Sequence, residues 1–65
     1  MYGKIVITLS GGTAVFKTND YHGIYDYLTN QGFDHHTAED VASWSPDAPC
    51  GEEYELDGAK IVITE

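Results

Sequence analysis

Carboxylates are the reactive groups this chain has in greatest number, and their spacing suggests a use. Between Lys17 and Lys60 there is no Lys or Arg, yet ten acids fall in that span: Asp20, Asp26, Asp34, Glu39, Asp40, Asp47, Glu52, Glu53, Glu55 and Asp57. Glu53, Glu55 and Asp57 alternate with Tyr54 and Leu56. On a strand rising about 3.3 Å per residue, those three acids would stand in a row on the outer sheet face, roughly 6.5 to 7 Å apart. That interval is close to the one between successive backbone phosphates of a nucleic-acid strand. A folded surface of this kind suits a basic groove built for DNA or RNA, and long-range attraction would speed its arrival. The structural alternative is that a small protein carries negative charge for solubility.

Histidine supplies the second candidate chemistry. Asp34, His35, His36, Glu39 and Asp40 lie close in sequence, with His22 upstream. On a helix, His36 shares a face with Glu39 or Asp40, as a metal site would require. A third or fourth ligand would have to come from elsewhere, from Glu52 or His22, so the expectation is no resident metal and no cofactor. Solvated imidazoles beside acids, sensitive to pH, are the alternative use of the same residues. Cys50 in Ala48-Pro49-Cys50-Gly51 is the one thiol. A nucleophile needs a base and an oxyanion site, and a chain of this size has little room for a substrate cleft. The expectation is a protein that is not an enzyme. Gly11-Gly12 lacks the helix start and lysine of a phosphate loop and reads as a hairpin turn.

The aromatic residues fall on the elements that must position these groups. Tyr21, Tyr25, Tyr54 and Trp44 sit on apolar stripes and read as core. Tyr27 lies off the first helix's main stripe. Tyr2 shares the outer sheet face with Val6, Val15 and Val62. Tyrosine adds contact area and a hydroxyl at little entropic cost, so both are candidate docking residues.

The elements follow from periodicity. Residues 4–9 alternate and are β-branched, as a strand requires, with Ile5, Ile7 and Leu9 on one face. Residues 13–18 alternate again after the Ser10-Gly11-Gly12 turn. Tyr21, Ile24, Tyr25 and Leu28 then recur at helical spacing. Asn19 or Asp20 can cap that helix, and Gly32 can end it in a left-handed turn with Phe33 folding back. A second helix is expected to begin near Thr37, capped there, with Ala38, Val41, Ala42 and Trp44 on its apolar side; Pro46 stops it. Residues 45–52 read as loop. Residues 53–57 and 60–64 read as strands joined by Asp57-Gly58. The fold class is α+β: a four-stranded antiparallel sheet in the order ββααββ, with the helices packed on one face. The expected core is Ile5, Ile7, Leu9, Phe16, Ile24, Leu28, Phe33, Val41, Trp44, Leu56, Ile61 and Ile63.

Length and charge bound the rest. The chain has 65 residues, three Lys or Arg against eleven acids, and a formal net charge of −8. That is one small domain, 1–65, too short for a dinucleotide-binding unit or a two-domain cleft. Three cations leave almost nothing to trade for counterions, so direct nucleic-acid binding is not expected. A single cysteine makes no internal disulfide and suggests a reducing compartment. No run of about 20 apolar residues is present, as a membrane span would need. The start of the chain runs straight into a strand pattern and is not read as a signal peptide. Lys-Ile-Val-Ile-Thr occurs twice, at 4–8 and 60–64. Two buried neighbouring strands would explain the repeat and put Lys4 near Glu65. The alternative is that one copy lies at a sheet edge and pairs with another molecule.

Gly32-Phe33-Asp34, then residues 37–44, then Gly51-Glu52-Glu53-Tyr54-Glu55 resemble small acidic proteins of phages and mobile elements of gut bacteria. Some such proteins are anti-CRISPR inhibitors that occupy nucleic-acid-binding surfaces. The resemblance covers about 24 residues and transfers no catalytic residue. It implies a cytoplasmic inhibitor, acting in a bacterial host on a basic nucleic-acid-handling protein such as a CRISPR effector. The candidate partner-binding residues are Asp26, Tyr27, Asp34, Glu39, Asp40, Glu52, Glu53, Glu55 and Asp57. Two other readings remain: a self-associating mobile-element protein, a homodimer included, that uses an edge strand, and a metal-binding protein at His35 and His36.

Overall fold

The computed structural model describes residues 3–65. Four strands, β1 (Lys4–Leu9), β2 (Gly12–Lys17), β3 (Glu53–Leu56) and β4 (Ala59–Thr64), form one antiparallel sheet in the order β2-β1-β4-β3. Between β2 and β3 the chain makes two helices, α1 (Tyr21–Asn30) and α2 (His35–Trp44), and a short 3₁₀ turn at Ser45–Asp47. The expected α+β class and the ββααββ order both hold.

The repeated pentapeptide pairs with itself. β1 and β4 are the two central strands, in the antiparallel register Ile5↔Ile63, Val6↔Val62, Ile7↔Ile61. The idea that one copy lies at an edge is therefore wrong: the edges are β2 and β3. Lys4 faces Thr64, which sets it beside Glu65 as expected of neighbouring strands. Alternation sends Ile5, Ile7, Ile61 and Ile63 to one face, where all four are buried. Ile24 and Leu28 of α1 and Ala38, Val41 and Ala42 of α2 cover them. Burying each large aliphatic side chain is worth about 1.5 to 3 kcal/mol, so this central cluster dominates stability. Leu9, Phe16, Phe33, Trp44 and Leu56, also expected in the core, lie half-buried around its margin.

Local chemistry sets the helix boundaries. Asp20 caps α1, its carboxylate accepting the Gly23 N–H at 3.1 Å. A Cβ at position 23 would collide with that carboxylate, which accounts for a glycine in the first turn. At the other end Gly32 takes a φ of 100°. The Gly32 N–H donates to the Thr29 carbonyl and the Phe33 N–H to that of Leu28, which completes a Schellman closure.

Helix α2 starts earlier than its sequence suggests. Its cap is Asp34, whose carboxylate accepts the Thr37 N–H at 2.8 Å, so Thr37 lies inside the first turn. The loop expected over 45–52 is partly ordered too. Beyond the 3₁₀ turn, Gly51 donates to the Ile63 carbonyl and Ile63 to that of Glu52, which extends the β3–β4 ladder backward.

Ser45, just after α2, is fully buried, and among the described residues its hydroxyl has no hydrogen-bond partner. An unpaired buried hydroxyl costs about 1 to 3 kcal/mol. Ser45→Ala is therefore expected to raise the melting temperature by several degrees, since about 1 kcal/mol moves a domain of this size by roughly 4 to 8 °C. Ile61→Ala should do the reverse, costing about 2 to 5 kcal/mol. Thermal unfolding followed by circular dichroism checks both.

Candidate functional site

The sheet has a covered face and an open face, and the charges divide between the two layers. On the open face the registers align three cross-strand rows: Lys17–Lys4–Thr64, Val15–Val6–Val62–Glu53 and Thr13–Thr8–Lys60–Glu55. Residues directly opposite on neighbouring strands share a face, so all three lysines lie on the open side. The helical layer has none. There Asp26 of α1, Glu39 and Asp40 of α2, its cap Asp34, and Asp20 and Asp47 at the flanking turns are all exposed. Among the described residues the single ion pair is Lys60 Nζ to Glu53 Oε1 at 3.7 Å, on the open face. The acids of the helical layer are thus uncompensated within the fold.

This layout corrects the expected row of three carboxylates. Glu53 and Glu55 are on β3 and exposed, but β3 ends at Leu56 and Asp57 belongs to the turn that follows. Lys60 lies directly opposite Glu55 and reaches Glu53. The repeating line of charge is two residues long and has a cation beside it. Glu52 is exposed just before the strand, and its carbonyl is tied to Ile63. The acids therefore occupy two separate places, the helical layer and the β3 margin, not one continuous patch.

Two of the candidate docking residues have structural work in the fold. Tyr27 is half-buried, its ring 5.4 Å from that of Phe16 with the planes at 54°, so it fills the margin of the core above β2. Asp34 is exposed, but its carboxylate caps α2. The Thr37 backbone hydrogen bond holds its pKa below the ordinary aspartate value, with the Thr37 side chain and the nearby His36 and His35 acting in the same direction. Tyr2 lies outside the described residues.

His35 and His36 are exposed at the start of α2, with ring centroids 4.3 Å apart. Among the described residues no group of three or more His, Cys, Asp or Glu is gathered so as to hold a metal ion. Cys50 is exposed on the segment leading into β3. No helix is long and apolar enough to cross a membrane.

Sequence reasoning missed two surface features. Tyr21, expected in the core, is 38% exposed and stacks on Tyr25 at 6.2 Å with the rings within 9° of parallel. Nor did it bring the three lysines to one face; strand parity held that signal, given the correct register. Comparison with protein-family models, with curated proteins and with solved structures finds no match.

The cap gives a pH prediction. A carboxylate whose folded pKa is depressed adds stability that is fully present above its unfolded pKa of 3.8 and is lost as pH falls through the lower folded value. Asp34→Ala should lower the melting temperature at neutral pH, with a difference from the parent that shrinks below about pH 4. Asp34→Asn, which can still cap, should retain most of the neutral-pH stability and lose that acid-limb dependence. Melting temperatures of the three chains from pH 2 to 7 decide it.

Proposed function

We propose that this protein is a non-enzymatic acidic inhibitor. It binds a basic, nucleic-acid-handling protein by setting carboxylates where that partner would hold phosphates. The observation that supports this reading is the one-sided charge. Six acids lie on or beside the helices with no lysine among them, while all three lysines lie on the opposite, open side of the sheet. A molecule of net charge −8 built this way has a directional field, and it approaches a basic surface helices first. Glu39 and Asp40, exposed on α2, and Asp26, exposed on α1, are the foremost contact residues. Glu52, Glu53, Glu55 and Asp57 add charge at the β3 margin, weakened there by Lys60. Inhibition is occlusion: the acids displace nucleic acid from its groove without reacting with anything. A CRISPR effector, the partner implied by the resemblance to mobile-element proteins, has such a groove.

The test is a competition experiment. The chain is added to a purified CRISPR effector holding a short labelled duplex, and release of the duplex is followed across a salt series. Displacement should weaken steeply as salt rises, since the attraction is screened over a Debye length of about 10 Å at 0.1 M. Glu39→Lys with Asp40→Lys should weaken binding about tenfold or more, and Glu53→Lys with Glu55→Lys by less. Displacement that ignores salt and survives the α2 reversal would sink the proposal.

A further inference from the structure

Both helices pack on one side, and among the described residues nothing covers the other face of the sheet. Its chemistry changes in order from edge to edge. Lys17 and Lys4 lie on β2 and β1, Glu53 and Glu55 on β3 with Lys60 of β4 beside them, and Val15, Val6 and Val62 form a row that crosses the middle of strands β2, β1 and β4. Val15, midway along the edge strand β2 and two residues from Lys17, is 54% exposed, a large apolar side chain left in water on the cationic side. We propose that this open face is a self-complementary docking surface whose occupant is a second copy of the chain. The two copies are related by a two-fold axis running parallel to the strands between β1 and β4.

The charge order selects that occupant. A basic partner would meet Lys4 and Lys17; an acidic one would meet Glu53 and Glu55. A second copy turned about the stated axis sets β2 over the partner's β3 and β1 over the partner's β4. Val6 then faces the partner's Val62. Glu53 faces the partner's Val15, one pleat from the partner's Lys17, and the same contacts recur on the other side of the axis. Each half of the gradient meets its opposite twice, as an isologous interface requires. The strands of the two sheets stay aligned, as in a sandwich.

The face also sets the strength. Strands about 4.8 Å apart, three of six residues and one of four, give a footprint of about 350 Å² per copy. A stable interface buries about 800 Å² per partner, so this dimer belongs to the weak class. Two molecules of charge −8 also repel at long range. The inference does not rest on the proposed inhibition, which uses the opposite layer; either can fail without the other.

The test uses the full chain at about 0.15 M salt, which damps the long-range repulsion. Sedimentation equilibrium from about 20 μM to about 2 mM should show the mass rising from 7.2 kDa toward twice that value and no further. Val15→Glu, which sets a carboxylate against the partner's Glu53, should keep the chain monomeric. Val15→Lys, at the same exposed position with the opposite sign, should preserve or tighten the dimer. Lys17→Glu and Glu53→Lys should each weaken self-association about tenfold alone, and an equimolar mixture of the two variants should restore it. Circular dichroism melts establish that each variant is folded. A chain monomeric throughout the range, a dimer indifferent to Val15→Glu, or two variants that do not re-associate on mixing would each overturn the proposal.

Discussion

The pairing of β1 with β4 is the constraint on which the rest of the molecule depends. The same five residues run in opposite directions against each other, so isoleucine meets isoleucine on the covered side and valine meets valine on the open side. Neither strand is an edge, and each is held by hydrogen bonds on both flanks. β2 and β3 attach outside this pair, and the helices lie across it. Without the four isoleucines the two helices would have only each other to cover their apolar stripes. A domain of 65 residues with no disulfide has little other burial to draw on.

The same alternation organises the electrostatics. The parity that buries Ile5, Ile7, Ile61 and Ile63 sends Lys4 and Lys60 to the open side, and the hairpin register adds Lys17. The helices were free to take acids wherever their outer faces met water, and no cation was placed to answer them. A two-layer fold with a strictly alternating sheet thus separates charge across its thickness without any special device. This separation, more than the total of −8, is what the proposed inhibition rests on.

Much of the fold was legible because its signals are periodic. The strands and α1 announce themselves by spacing, and Asp20, Gly32 and Phe33 mark the helix ends by local chemistry. The misplaced start of α2 has a physical reason. Thr37 and Asp34 are both competent caps three residues apart, and the Schellman closure at Gly32 returns the chain at once to extended backbone, where Asp34 begins the next helix. Asp57 could not serve both a strand row and an Asp-Gly turn, and the turn prevailed. The packing of Tyr27 was hidden because a helical wheel reports the stripe of one helix and not the width of the sheet beneath it; Phe16 on the edge strand widens the core past that stripe. The acids of the site were legible as a count, but their division between two layers required the register. The partner is written nowhere in the chain's own chemistry beyond the sign of its charge.

The central pair also joins the first strand to the last. Everything between Leu9 and Ala59 is a closed loop in the native state, so the innermost contacts are among the most distant along the chain. Forming them early means losing the entropy of a long closure before much apolar area is gained. The helical hairpin and the two β-hairpins involve only near neighbours and can flicker into shape on their own, but none has a core by itself. Such a molecule should fold more slowly than a helical bundle of equal size, with the meeting of its two terminal strands as the committing event.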